Sequence, residues 1–292
     1  MITVRAGTRL VDVERTLADQ DQILPFEPPH FGPESTIGGV IAAGLSGPRR
    51  PYAGAVRDAV LGVRVMTSNA ESLNFGGQVM KNVAGYDVSR LMTGAMGTLG
   101  LLLLVSIRVA PRPQDERTAV WEMTEVEAHN RILTLARQSL PITAMCFDGH
   151  LLRVRIAGTN AAVIEAERIL APDSIEPSSY WQELRDQRLL FFQSSDPLWR
   201  LSLPPASKSI GLPGKWLWDW GGACRWLISA SSADQIRRLT SATGGHATLF
   251  RSEVNESPFT PLGAVNLRVH RRLKETFDPA RIFNPGRMYA DI

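Results

Sequence analysis

The sequence predicts an α+β protein with two domains. Its 292 residues exceed the length of a typical small domain, and 44% hydrophobic with 21% charged residues is the composition of a globular chain. Segments with strand-like and helix-like spacing of apolar residues alternate along the whole length. A proline-rich passage, APRPQ at 110–114, separates two parts of different texture and indicates the domain boundary.

The first part begins with a predicted strand and an amphipathic helix. Residues 1–6 form the strand, and Leu10, Val13 and Leu17 share one face of the helix that follows. A polar, proline-rich passage then leads to the glycine-rich stretch 35–48. The remaining elements are strands at 59–68 and 71–75, a helix at 85–93, and a long buried strand within 97–111 that ends at Pro111.

The second part has another arrangement. A strand–helix–strand–strand–helix order indicates a ferredoxin-like unit, with elements at 117–123, 125–138, 143–148, 150–157 and 159–170. A further alternating set follows at 198–203, 215–219, 224–229, 232–243 and 246–251. The tryptophans of WLWDWGGACRW suit either a partner-facing surface or a buried core. In the tail, an amphipathic helix is predicted from Val265, Val269, Leu273 and Phe277, which recur in phase.

Charge and motifs exclude several functions. The net charge of +3 comes from scattered residues without a basic face, so no nucleic-acid partner is expected. Cys146 and Cys224 lie outside any CxxC motif and the histidines do not recur at metal spacing, so no metal site is predicted. The P-loop, GxGxxG, GxSxG and HExxH patterns are missing from the sequence. No catalytic side chain is therefore assigned, and any chemistry is expected from a bound cofactor.

The location of the protein is predicted from the same sequence. The start, MITVRAGTRL, lacks a signal-peptide pattern. The most apolar run, 99–107, is about half of the length that a membrane span needs. We therefore expect a cytoplasmic protein that reaches a membrane only indirectly, through partners.

The first glycine-rich segment contains STIGGVIAAGLSGP. Ser35 or Thr36 can cap a helix whose first turn holds Gly38 and Gly39, and this arrangement leaves backbone amides open to an anion such as a pyrophosphate. The alternative is a helix of small residues packed closely against a sheet, and the spacing alone does not decide between the two. Further along, the chain can fold back at Gly44, Gly47 and Gly54.

A second glycine-rich segment and the tail show a related pattern. Gly94, Gly97 and Gly100 form a GxxGxxG turn just before the buried strand, and such a turn exposes backbone amides at the mouth of a sheet. In the tail, Asn284 of DPARIFNPGRM can hydrogen-bond the edge of a ligand. A simple terminal turn is the alternative for this last segment.

Together these segments resemble a known family. TIGG, VRDAVLGVRV, GYDVSRLMTGAMGTLG and DPARIFNPG are similar, in this order, to the FAD-binding domain of the vanillyl-alcohol-oxidase superfamily, also called PCMH-type. The blocks EPPHFG, GLSGPRRP, WDWGGACRWL, GGHATLF and IFNPGRMYA resemble those of E-type FAD-binding subunits of glycolate oxidase. The resemblance covers essentially the whole chain.

The resemblance implies a fold and a division of the chain. It implies the second α/β subdomain of a PCMH-type FAD-binding domain over 1–112 and a ferredoxin-like cap domain over 113–255. The C-terminal helix and NPG tail, 256–292, would return to the FAD domain. Family members begin with another subdomain that cradles the FAD diphosphate, whereas this sequence starts at MITVRAGT. The first subdomain is therefore expected to be missing, and independent FAD binding is left open.

The resemblance also implies FAD-binding residues, contacting the cofactor mainly through the backbone. The residues implied for the pyrophosphate and ribityl region are Thr36, Ile37, Gly38 and Gly39, and those for the wall beside the flavin are Gly44, Gly47, Tyr52, Gly54 and Arg57. The residues implied for the adenine end or ribose are Gly97, Thr98, Gly100 and Leu102. The residues implied for the isoalloxazine are Lys81, Asn82 and Asn284.

The function that the resemblance implies is that of one subunit in a complex. This complex oxidises glycolate, or a similar small 2-hydroxy acid, to the 2-oxo acid glyoxylate or its analogue. A D-type flavin subunit is the catalytic partner, and an iron–sulfur subunit receives the electrons. The paired histidines of the metal-dependent superfamily members have no match here, since His246 and His270 stand alone. The alternative is a structural, non-catalytic subunit whose flavin site is vestigial or broken by truncation.

Overall fold

The computed structural model describes residues 1–77, 87–253, 256–290 and 292. The chain divides into two units, one formed by Met1–Arg112 with Pro261–Ile292 and the other by Pro113–Thr260. Each unit has its own apolar core.

The first unit is built on an antiparallel sheet of four strands. In chain order its elements up to residue 112 are β1 (Ile2–Arg5), α1 (Leu10–Ala18), β2 (Gln22–Ile23), α2 (Ile37–Ala43), α3 (Arg50–Ala53), α4 (Val56–Ala59), β3 (Val60–Met66), β4 (Ser72–Gly76), α5 (Val88–Met92), β5 (Leu101–Ile107) and β6 (Ala110–Pro111). The sheet order is β1-β5-β3-β4, and β2 pairs with β6 separately.

The helices of this unit cover one face of the sheet. Leu10, Val13 and Leu17 of α1 are buried, as their spacing predicts. They join Ile37 and Ile41 of α2 in one core with the inward residues of β3 and β5. The strand β5 begins only at residue 101, so the glycine turn before it lies outside the sheet.

The second unit is an eight-stranded sheet with helices. Its elements are β7 (Asp115–Glu122), α6 (Glu125–Leu135), β8 (Ile142–Phe147), β9 (Leu151–Gly158), α7 (Asn160–Leu170), β10 (Ser174–Glu176), α8 (Ser179–Arg185), β11 (Leu198–Ser202), β12 (Lys215–Asp219), β13 (Cys224–Ile228), α9 (Ala233–Ala242) and β14 (His246–Arg251). The strand order is β10-β7-β9-β8-β12-β13-β11-β14. Pairing of Phe147 in β8 with Trp218 in β12 joins the two halves of this sheet.

The tryptophan-rich segment contributes to the core of the second unit. Trp218, Trp220 and Trp226 are all buried, whereas Trp216 is partly buried. Arg225 lies over the Trp218 ring, with 4.1 Å between its guanidinium carbon and the ring centroid. Of the two interpretations of this segment, the buried core therefore applies to these three tryptophans.

The last helix, α10 (Ala264–Phe277), belongs to the first unit. Leu273 and Phe277 pack against the core of that unit, as the periodicity predicts. Val265 and Val269 in the same phase are instead 63% and 48% exposed. Among the described residues, no helix combines the length and the apolar character that crossing a bilayer requires.

Candidate FAD-binding site

A cavity of about 360 Å³ lies within the first unit. Its volume falls in the range of small-molecule sites, roughly 300–1,000 Å³. Four separate stretches of chain form its walls: the turn after β1, the start of α2, the glycine turn leading into β5, and the tail after α10. The lining residues are Ala6, Gly7, Thr36, Gly38, Gly39, Ala42, Gly97, Gly100, Leu101, Leu102, Phe283 and Asn284.

The helix α2 begins at a capped N-terminus. Thr36 is the N-cap, and its Oγ1 accepts a hydrogen bond from the Gly39 amide at 3.1 Å. The Ile37 amide donates to the Thr8 carbonyl at 2.9 Å, and the Gly38 amide donates to the Ala6 carbonyl at 2.8 Å. The first donors of this helix are therefore already paired inside the protein.

This pairing bears on the two interpretations that the spacing of the segment leaves open. One of them has amides of Gly38 and Gly39 open to an anion such as a pyrophosphate, whereas in the described structure both amides donate to groups of the chain itself. The reason is nonlocal, because the segment after β1 crosses the start of the helix and supplies carbonyl acceptors there. The side chain of Ile37 is also fully buried in the core, so its role in the described structure is packing.

The two neighbouring glycines of α2 have different surroundings. A Cβ at Gly38 would lie 2.7 Å from both the Cβ and the carbonyl oxygen of Ala6, which is closer than atoms can approach. A Cβ at Gly39 would meet only Thr36 Oγ1, at 3.3 Å, and this glycine is exposed. Close packing against Ala6 therefore explains Gly38, whereas Gly39 faces open space with its amide already paired.

The other walls carry amides without partners. The backbone N–H groups of Gly7, Gly97 and Gly100 donate no hydrogen bond to any residue that the structure describes. Gly97 has a φ of +68°, in the left-handed region that glycine adopts without strain. Donors that could meet a ligand are thus found in the turn after β1 and in the glycine turn before β5, rather than at the start of α2.

The tail contributes Asn284 and Phe283. Asn284 Nδ2 donates to the Met96 carbonyl at 2.8 Å, which attaches the tail to the glycine turn. A Cβ at Gly97 would lie 2.9 Å from this nitrogen and would displace the Asn284 side chain, and the positive φ of Gly97 also favours glycine there. Thr98 is buried, and its hydroxyl donates to the Ala95 carbonyl at 2.7 Å.

Several residues that the resemblance assigned lie outside the cavity lining. Gly44 caps the C-terminus of α2, where its Cβ would come within 2.8 Å of Gly94 Cα. The Gly47 amide donates to the Phe26 carbonyl at 2.9 Å, and Gly54 ends α3. The cavity lining also does not include Tyr52, which is 41% exposed, or Arg57, whose side chain is exposed. Lys81 and Asn82 fall outside the described residues.

The cavity therefore brings together seven of the assigned residues: Thr36, Gly38, Gly39, Gly97, Gly100, Leu102 and Asn284. The five lining residues that were not assigned from the sequence are Ala6, Gly7, Ala42, Leu101 and Phe283. A signal existed for two of them, because Gly7 directly follows the first strand and Phe283 directly precedes Asn284. Leu101 reads as a strand residue and gives no such signal.

Two families of known proteins match the chain. The family described as "FAD binding domain" matches residues 1–76, and the family described as "FAD linked oxidases, C-terminal domain" matches residues 259–288. The first match includes the walls formed by Gly7 and the start of α2, and the second includes Phe283 and Asn284. Residues from both matched ranges thus line the same cavity.

Individual relatives agree with these matches. The glycolate oxidase subunit GlcE of Escherichia coli is 46% identical over all 292 residues, which is 100% of this chain and 83% of the relative. The glycolate oxidase subunit GlcD of Bacillus subtilis is 32% identical over 148 residues, covering 50% of this chain and 31% of the relative. Both names describe subunits of one kind of oxidase.

Solved structures support the same fold. A structure of alkyldihydroxyacetonephosphate synthase superposes with a TM-score of 0.65 at 17% identity and covers 97% of this chain, which spans 64% of that protein. At this identity the likeness concerns the fold alone, and the fold is the α+β, PCMH-type architecture. With nearly half of its residues shared with GlcE over its full length, the chain belongs to the FAD-linked oxidase family, in its group of glycolate oxidase GlcE subunits.

Proposed function

We propose that this chain is the FAD-binding subunit of a multi-subunit 2-hydroxy-acid oxidase, and that the cavity of the first unit holds an uncharged part of FAD. The observation that carries the proposal is the open space beside two glycines of the cavity wall, Gly7 and Gly39. A Cβ at Gly7 would meet nothing within 4 Å, and a Cβ at Gly39 would meet only Thr36 Oγ1. A flat ring or an extended chain can therefore approach the backbone closely at these two positions.

The polar groups of the lining fit the neutral parts of the cofactor. The Thr36 hydroxyl, the Asn284 carboxamide and the unpaired amides of the glycine turns are uncharged donors and acceptors. Such groups suit ribityl or ribose hydroxyls and the edges of a ring. The lining residues that the structure describes include no Lys, Arg, Asp or Glu, so the pyrophosphate of FAD would need its donors from outside this set.

The chemistry that bound FAD supplies is two-electron oxidation of the hydroxyl-bearing carbon of a 2-hydroxy acid, with glycolate giving glyoxylate. The residues of this chain bind and orient the cofactor. The Thr36 hydroxyl and the Asn284 carboxamide position its polar edges, and the apolar side chains of Leu101 and Phe283 limit the access of water. No residue of this chain is assigned a proton transfer.

The partners follow from the family. We infer that a GlcD-type flavin subunit carries the substrate site and that an iron–sulfur subunit receives the electrons. Among the described residues, no group of three or more His, Cys, Asp and Glu side chains is placed to hold a metal ion, which supports a non-catalytic role beside the GlcD-type subunit. Any contact with a membrane surface is proposed to occur through these partners, at the cytoplasmic side.

A second candidate function is supported by one specific observation. The amides at the start of α2 are all paired within the chain, and the lining residues within the described part of the chain carry no charge. These features suit a structural subunit whose flavin site is vestigial. The two candidates differ in the number of flavins that the assembled oxidase contains.

The test is a flavin count on the purified complex. The complex is prepared with the native chain and with Gly39→Leu, which places a side chain in the cavity, and the extracted FAD is measured per complex. Gly211→Leu is the control, because a Cβ at Gly211 meets nothing within 4 Å and this glycine lies in the second unit. We expect Gly39→Leu alone to lower the count by about one FAD. An unchanged count with an intact complex would leave the structural role standing.

A further inference from the structure

A buried cation lies on the last helix. Most of α10 is exposed, but the side chains of Lys274 and Asp278 are only 1% and 0% exposed. Lys274 Nζ donates to Asp278 Oδ2 at 2.7 Å and to the carbonyl oxygens of Thr98 at 2.8 Å and Phe283 at 2.7 Å. An ammonium group has three donors, and all three are used here.

The carboxylate of Asp278 organises the tail that follows the helix. Its Oδ1 accepts from the Ile282 amide at 3.1 Å, and its Oδ2 accepts from the Phe283 amide at 2.8 Å. Burial acts to raise the pKa of this carboxyl, but hydrogen bonds from Lys274 and from the Phe283 and Ile282 amides outweigh burial and lower the pKa below its usual range. The turn from residue 278 to 283 therefore winds around an ionised side chain.

The two carbonyls that Lys274 holds belong to two walls of the cavity. Thr98 lies between Gly97 and Gly100 in the glycine turn, and Phe283 lines the cavity from the tail. The ammonium thus connects two segments that are far apart in sequence, beside the Asn284–Met96 hydrogen bond that also joins them. The distance between these walls depends on a side chain that does not line the cavity.

A purely stabilising role does not explain this arrangement. Replacing a buried ion pair by apolar residues of similar volume is often neutral or favourable for stability, because the desolvation cost of the charges disappears. What an apolar pair lacks is the ability to fix two backbone carbonyls and two backbone amides at once. The hydrogen bonds of Lys274 and Asp278 therefore indicate a requirement for position more than for stability.

We propose that Lys274 and Asp278 are positioning residues that set the spacing between the glycine turn and the tail, and through it the affinity of the cavity for FAD. This inference rests on the proposed function, because it takes FAD as the occupant. Neither side chain lines the cavity, so neither is proposed to touch the cofactor. Their effect is transmitted through the backbone: Lys274 donates to the carbonyl oxygens of Thr98 and Phe283, and Asp278 accepts from the amides of Ile282 and Phe283.

The test compares three variants of the full chain with the native protein. Lys274→Met removes the ammonium, the double variant Lys274→Met with Asp278→Leu replaces the pair by apolar side chains, and Arg168→Met is the control. Arg168 forms an exposed ion pair with Glu165 on α7, in the second unit. Three quantities are measured: the FAD dissociation constant by flavin fluorescence, the thermal midpoint, and amide hydrogen exchange over residues 94–100 and 282–286.

The expected pattern separates positioning from stability. Lys274→Met weakens FAD binding by about tenfold or more and accelerates exchange in both segments, since the loss of one charge-assisted hydrogen bond alone has about this effect. The double apolar variant recovers the thermal midpoint but not the affinity or the slow exchange. Arg168→Met leaves all three quantities at native values.

Two results would overturn the inference. One is native FAD affinity in Lys274→Met, and the other is recovery of both affinity and slow exchange in the double apolar variant, which would assign the pair to stability alone. Absence of FAD binding by the native chain, alone and within the complex, would instead contradict the proposed function. In that case, unchanged exchange in Lys274→Met would additionally refute the connection between the two segments.

Discussion

Substitution of the two neighbouring glycines of α2 by alanine is expected to have opposite effects on stability. In Gly38→Ala the new methyl group would lie 2.7 Å from the Ala6 Cβ and from the Ala6 carbonyl oxygen. That carbonyl also accepts the Gly38 amide at 2.8 Å, so the backbone cannot move away without weakening the bond. In Gly39→Ala the methyl group would contact Thr36 Oγ1 at 3.3 Å and otherwise face the cavity.

The magnitudes follow from these surroundings. Overpacking by one methyl group costs about 1–3 kcal/mol, which exceeds the gain of about 0.5–1 kcal/mol from replacing a helical glycine by alanine. Gly38→Ala should therefore lower the thermal midpoint by roughly 2–8 °C. Gly39→Ala retains the stabilisation from replacing a helical glycine by alanine, and it should raise the thermal midpoint slightly. If FAD contacts the Gly39 backbone, the added methyl group should reduce its affinity by about 5- to 150-fold.

The assay is a pair of measurements on each purified variant. Thermal unfolding followed by circular dichroism gives the midpoint, and quenching of flavin fluorescence gives the FAD dissociation constant. Gly211→Ala serves as the control, since its Cβ would lie in open space within the second unit. Native FAD affinity in Gly39→Ala would contradict contact between the cofactor and the Gly39 backbone. A native unfolding temperature in Gly38→Ala would contradict close packing of Gly38 against Ala6.

Three other outcomes are expected. Thr36→Ala should lose about 1 kcal/mol of stability in urea unfolding because it removes the α2 cap, whereas Thr36→Ser should retain most of it. Because the pKa of Asp278 is lower in the folded state than in the unfolded state, where it is about 3.9, the ionised carboxylate stabilises the fold at neutral pH. The difference in thermal midpoint between the native protein and Asp278→Asn should therefore be constant near neutral pH and shrink as the pH falls below about 4. Burial and the nearby Asp219 carboxylate raise the pKa of the Cys146 thiol, and the hydrogen bond with Tyr180, which lowers it, does not outweigh them. Cys224 is also buried. A thiol reagent at about pH 8 should therefore label neither cysteine before denaturant is added.

Elements whose residues repeat with a regular period could be predicted from the sequence. The helix at 125–138 is observed as α6, Glu125–Leu135, and begins at a capping box in which Thr124 and Glu127 satisfy each other's amides. The strands predicted at 143–148 and 150–157 are observed as β8 and β9, one residue away at their ends. Here the signal is local, because the pattern of apolar residues alone determines which face packs inward.

The parts that escaped prediction depend on contacts between distant segments. Lys274 is a charged residue whose burial requires the carbonyl of Thr98, 176 positions earlier in the chain. The amides at the start of α2 are likewise paired because residues 6–8 return to that helix, which no spacing within the helix indicates. Periodicity placed Val265 and Val269 on the same face as Leu273, but the packing of α10 on the first unit begins only near Leu273.

The way in which the tail is attached determines how a bound ligand should affect the opening of the tail. On α10, Leu273 and Phe277 pack against the core and Lys274 holds the glycine turn, while Val265 and Val269 remain exposed. A segment with few buried apolar contacts opens at low free energy, so the tail should open before the sheet does. A ligand that binds only the closed cavity stabilises the closed state by mass action, by about 2.7 kcal/mol at a concentration 100 times its dissociation constant. Because Phe283 and Asn284 form one wall of the cavity, opening of the tail removes the site, so bound ligand should make opening of the tail about 100-fold rarer and raise the free energy of global unfolding by the same amount.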